Sequence, residues 1–122
     1  MLVAAFRYSN ARAAGSIARI CEAAAELELI PGMSPIASCW RAAAAGLSGR
    51  IKEASASLGE NDGLPTDPDL RELGRRCGWD PWVEALGLSA FGCWAGGDFD
   101  EARRRSELAV EWARSQEDHR SE

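Results

Sequence analysis

Three times along the chain a glycine is followed, two positions later, by isoleucine or phenylalanine and then by residues that open a helix. The segments are Gly15-Ser16-Ile17-Ala18-Arg19-Ile20, Gly49-Arg50-Ile51-Lys52-Glu53-Ala54 and Gly97-Asp98-Phe99-Asp100-Glu101-Ala102. A repeat constrains the fold strongly, because each unit is one supersecondary element that cannot bury its apolar face alone and has to stack on a neighbour. Gly15 and Gly49 lie 34 residues apart, the period of a helix-turn-helix repeat, and Gly49 and Gly97 lie 48 apart. The surplus is explained by Gly59-Glu60-Asn61-Asp62-Gly63-Leu64-Pro65-Thr66-Asp67-Pro68, whose Gly, Pro, Asn and Asp content predicts an inserted loop.

Each unit reads as two helices. The first carries small residues where its partner must come close: Ala42 and Ala45 in the second unit, Ala90 and Cys93 in the third. The glycine ends that helix, since Gly adopts the left-handed conformation of a helix C-terminus without steric cost. Ile17, Ile51 or Phe99 then plugs the turn into the core, and a second helix begins. In the third unit Asp98 with Glu101 forms a capping-box-like start. Behind it Ala102, Leu108, Ala109 and Trp112 fall on one face, with Arg103, Arg104, Glu107 and Glu111 outside and Arg103 to Glu107 at ion-pair spacing. Ser34-Pro35, Asp67-Pro68 and Asp80-Pro81 each place an N-cap oxygen before a proline at the first helical position. Helices are predicted near 2–13, 17–29, 35–47, 50–58, 68–77, 81–95 and 99–115.

Composition agrees with this pattern. Ala is abundant at twenty-two residues and Tyr occurs once, so small helix formers dominate over the β-branched and aromatic residues of strands. An all-β sandwich is excluded, and no apolar stretch approaches the length of a spanning helix. The opening Met1-Leu2-Val3-Ala4-Ala5-Phe6 lacks a basic region and carries too short an apolar run for a secretion signal. The net charge is −5, and it is uneven: residues 61–122 hold fourteen acidic against eight basic groups. An acidic half argues against direct nucleic-acid binding, which needs a basic patch.

Asp80-Pro81-Trp82-Val83-Glu84-Ala85-Leu86 through Gly97-Asp98-Phe99-Asp100-Glu101-Ala102 and on to Leu108-Ala109 resembles a tetratricopeptide (TPR) repeat. It is similar in particular to the TPR-like arrays of bacterial LuxR/MalT-type regulators and related signalling ATPases. The third unit fits through Leu86, Ala90, Gly97, Phe99, Ala102 and Ala109, the second through Ala42, Gly49, Ile51, Glu53 and Ala54, while Ile20 stands where a small Ala is usual in the first. The resemblance implies an all-α, TPR-like α-α superhelix of about three units, near 1–34, 35–82 with an insertion near 59–77, and 83–116, forming one domain over 1–116 with a polar tail at 117–122. It implies a concave surface lined by Ser9, Arg12, Cys39, Ala43, Glu84, Phe91 and Trp94, with Phe91 and Trp94 as anchors or, alternatively, as core. Open repeat ends imply either a neighbour or self-association.

The remaining chemistry is sparse. Cys21, Cys39, Cys77 and Cys93 show no CxxC spacing and sit among Ala, Leu or Trp, which favours core packing over redox or metal roles. The sole histidine, His119, lies in the polar tail, where no imidazole is positioned for catalysis. Trp79 and Trp82 flank a helix-start proline and read as loop staples, with an aromatic cage the alternative. Asp98 and Asp100 sit at a helix N-terminus, where acids are electrostatically favoured. The expectation is a cytoplasmic, non-catalytic chain without cofactor or metal that binds another protein or peptide. The alternative is a ligand- or partner-sensing segment of a bacterial transcriptional regulator, although no Walker A sequence or basic recognition helix is present.

Overall fold

A computed structural model describes residues 2–58, 68–76 and 80–121. The described residues are helical, with α1 Leu2–Ala14, α2 Ile17–Glu28, α3 Ser34–Leu47, α4 Ile51–Leu58, α5 Pro68–Arg75, α6 Pro81–Ala95 and α7 Phe99–Ser121, and no strand occurs among them. No helix is long and apolar enough to cross a membrane among these residues. The helices pair as α1 with α2, α3 with α4 and α6 with α7, and successive pairs meet where α2 and α6 pack on α3.

The three glycine turns share one hydrogen-bond pattern. Gly15 N–H donates to the Arg12 carbonyl and Ser16 N–H to that of Ala11; Gly49 with Arg50 and Gly97 with Asp98 repeat both bonds in the same register. This is the Schellman arrangement, and it demands a positive φ at the glycine, which measures 68°, 76° and 87° in turn. The first unit, weakest in its motif residues, has the same turn as the other two.

Other helix starts divide. The Asp80 side chain accepts from the N–H groups of Trp82 and Val83 at 2.9 and 3.3 Å and so caps α6 as expected. Asp98 accepts from Glu101 N–H at 3.2 Å, but the Glu101 carboxylate turns to Arg104 and Arg105 instead of completing the box. Ser34 does not cap α3: it is the first helical residue, the N-cap position falls on Met33, and no side-chain bond closes that end. Asp67, Cys77, Trp79 and the loop at 59–67 lie outside the described residues. At the other end α7 does not stop near 115 but runs on to Ser121, through most of the expected tail.

The centre of the molecule forms where α1, α2, α3 and α6 meet. Tyr8, Ile20, Leu27, Ile36, Trp40 and Leu86 are fully enclosed, each such burial stabilising by roughly 1.5–3 kcal/mol. Tyr8 stacks on Trp40 with ring centroids 4.5 Å apart and planes within 12°. Burial and the nearby Glu84 carboxylate push the Tyr8 hydroxyl well above its ordinary pKa, so it stays neutral. Arg7 to Glu26 joins α1 to α2 at the surface, and Arg41 to Glu28 joins α3 to α2.

The tightest seam lies between α3 and α6. A Cβ built on Gly46 would sit 2.8 Å from the Leu88 backbone, and one on Gly92 would sit 2.7 Å from the Gly46 carbonyl oxygen and 2.5 Å from Ile51 Cδ1. Two helix backbones therefore touch, and only glycine at both crossing positions allows it. Ala42 and Ala45 do line this region and are buried, but the glycines set the distance.

Candidate functional site

The residues expected along the inner surface meet different fates. Cys39 and Ala43 are enclosed on α3, so neither side chain can touch a partner. Burial, with the Asp80 and Glu84 charges nearby, raises the Cys39 thiol far above its usual pKa. Arg12 Nε donates to Glu84 Oε1 at 2.9 Å, tying α1 to α6 across 72 positions. Ser9 is half-buried. Phe91 and Trp94 are exposed, at 55% and 59% of their surface, with ring centroids 6.0 Å apart.

Glu84, Gly87, Phe91 and Trp94 follow one stripe of α6, at successive turns. The stripe closes at its N-terminal end, where Arg12 neutralises Glu84, and opens at its C-terminal end. There Phe91 and Trp94 face the first turns of α7 across an open groove of about 420 Å³, lined also by Gly87, Phe99, Ala102 and Arg103. Phe99 does not sit where its motif predicts. It is 63% exposed, so it does not plug its turn into the core as Ile51 does against Gly92. The reason is positional: α6 comes after the α3–α4 pair and covers Ile51, whereas no described element comes after the α6–α7 pair on that side.

Arg103 reaches into this groove. Its expected ion pair with Glu107 is not formed, and it draws no hydrogen bond or ion pair among the described residues. The neighbouring arginines are occupied. Arg104 donates to Glu101 at 2.7 and 2.9 Å, and buried Arg105 donates to Glu101 at 2.8 Å and to Ser55 on α4. These hydrogen bonds hold the Glu101 carboxyl down at about 2. The sequence pattern gives no sign of Arg105, which stands next to two solvent-facing arginines yet anchors α7 to α4.

The opposite end of the molecule is of another kind. Between α1 and α2 a smaller groove of about 310 Å³ is lined by Arg7, Asn10, Arg19, Glu22 and Glu26 with two alanines, and the Arg7–Glu26 pair crosses it.

Among the described residues, the tryptophans other than Trp94 do not form a cage. Trp40 and Trp82 are enclosed, and Trp112 is buried with its Nε1 donating to Asp80 Oδ2 at 2.9 Å. Arg71 of the insertion helix α5 lies over the Trp112 ring, 4.3 Å from its centroid, a cation–π contact that fixes α5 to α7. Cys93 is buried like Cys39, but Cys21 is exposed on α2 and does not serve the core. The chain matches no known family model, no curated protein and no solved structure. What the structure defines is an all-α protein of packed helix pairs, with a polar face at one end and an aromatic one at the other.

Proposed function

We propose that this chain is a non-catalytic protein-interaction scaffold, a TPR-like superhelix that engages another protein through the aromatic groove between α6 and α7. The carrying observation is the contiguous exposure of Phe91, Trp94 and Phe99 around that groove. Large aromatics cost free energy when left in water, and a cluster of them rimmed by polar residues marks an interaction site on a folded protein. Arg12 and Glu84 contribute by neutralising each other and ordering the N-terminal end of the same stripe, and Cys39 by packing beneath it. A reducing, cytoplasmic setting suits the free thiols of Cys21, Cys39 and Cys93.

The experiment compares the proteins retained by the immobilised chain with those retained by a Phe91→Ser, Trp94→Ser double variant. Both side chains are more than half exposed, so the variant should melt within a few degrees of the parent. Loss of a captured protein at unchanged melting temperature supports the reading, and equal capture by both chains sinks it.

A further inference from the structure

The occupant of the groove can be read from the molecule's own repeat. Shifting the register by the spacing of Gly49 and Gly97 places Ala43 against Phe91, Gly46 against Trp94, Ile51 against Phe99 and Ser55 against Arg103. In the α3–α4 pair that surface is covered by a helix, α6, whose Leu88–Ser89 backbone lies on Gly46 and whose Gly92 lies on Ile51. In the α6–α7 pair the same surface is open and carries two changes. Trp94 stands where Gly46 admits a backbone, and Arg103 stands where Ser55 is tied down by Arg105.

We propose that the groove receives an amphipathic α-helix of another protein, lying as α6 lies on α3 and α4, with a small residue where the Trp94 ring seats and a carboxylate that reaches Arg103. The proposal rests on the interaction reading above and narrows it. An indole in place of a glycine keeps the incoming backbone away, so the partner has to offer a notch instead of a flat stripe. A guanidinium without an internal partner at the edge of an apolar groove favours an acid, which it can hold by charge-assisted hydrogen bonds.

A second copy is a poorer fit by either end. Stacked head to tail, α1 would take the place of the covering helix, and aligning Gly15 with Gly97 brings Arg7 and Asn10 to the positions of Ser89 and Gly92. Polar heads would then be buried against the aromatics, and the Arg7–Glu26 pair would have to break. Set face to face, two copies would bring Arg103 against its own twin, a like-charge contact that disfavours the pairing.

The test uses the whole chain and two labelled synthetic peptides, each an amphipathic Ala/Leu helix with one glycine in its apolar face. One carries a glutamate beside the glycine and the other a lysine there. Fluorescence anisotropy gives affinity, and amide shifts of Gly87 and Gly97 give location. Binding of the glutamate peptide at these amides, about tenfold or more tighter than the lysine peptide, supports the proposal. So does a reversed preference in Arg103→Glu, and a loss of binding in Trp94→Ser at unchanged melting temperature.

Equal binding of both peptides in the groove overturns the acidic-helix assignment while leaving an interaction surface in place. A Trp94-dependent dimer by light scattering, with no peptide bound, overturns it in favour of a second copy. A monomer that binds neither peptide, with Trp94 freely quenched by iodide and no captured protein lost in the double variant, overturns both this proposal and the interaction reading.

Discussion

The α3–α4 pair and the α6–α7 pair are built to the same register, turn on the same Schellman hydrogen bonds and present the same backbone outward, yet one face is sealed and the other is open. At the sealed face Gly46 removes a side chain so that α6 can rest on the backbone; at the open face Trp94 adds the largest side chain available. Repeat position alone therefore does not decide burial. Among the described residues a covering helix on the next unit decides it, because in a stacked array each unit contacts its neighbours only.

Exchanging the two residues gives the sharpest test. Gly46→Trp would force an indole into a backbone contact whose Cβ position is already 2.8 Å from Leu88, and we expect a loss of about 3 kcal/mol or more, seen as a collapse of the thermal transition. Trp94→Gly changes an exposed residue, and its cost should be confined to the helix propensity of glycine, about 1 kcal/mol, in urea unfolding. Similar losses from both would break the contrast between the faces.

Asp80→Ala should fall between them. It removes the cap of α6 and the acceptor of the Trp112 indole, for about 1–2 kcal/mol in the same urea titration. Thiol labelling distinguishes inside from outside without mutation. Cys21 should react with a maleimide in the native protein, and Cys39 and Cys93 should require unfolding, since both are buried with raised thiol pKa values. The smallest effect concerns the clasp that ties α7 to α4. The Glu101 carboxyl is held at about 2 in the folded chain, below its ordinary value near 4.5. Its contribution is therefore complete above about 4.5 and is lost as pH falls toward 2. Glu101→Gln should flatten the acid side of the stability profile by a small amount, and identical profiles would show that Arg105 is held by Ser55 alone.

Much of the architecture was legible because its signals are local. A glycine two positions before isoleucine or phenylalanine occurs three times, and a Schellman turn stands at each. Asp80 before Pro81 caps α6. The misses share the opposite property. Ser34 resembles a cap in sequence, but the chain reaches it already in helical conformation at Met33. The pairing of Arg12 with Glu84 depends on how three helices stack and leaves no trace at a distance of 72 residues. Gly46 and Gly92 look like weak points within helices, and their purpose appears only when the two backbones meet. Phe91 and Trp94 were legible as candidate anchors; the part played by Phe99 and Arg103 was not, because it depends on the uncovered face beside them.

The two carboxylate oxygens of Asp80 have a consequence for motion. One holds the first turn of α6 and the other holds Trp112 far along α7, while the Gly97 turn joins the opposite ends of the same helices. The hairpin is thus latched at both extremities, and neither helix can swing from the other without breaking a charged clasp. Amide protons of α6 and of α7 up to Trp112 should accordingly exchange with solvent in one concerted opening, so that the aromatic groove is presented as a rigid whole or not at all.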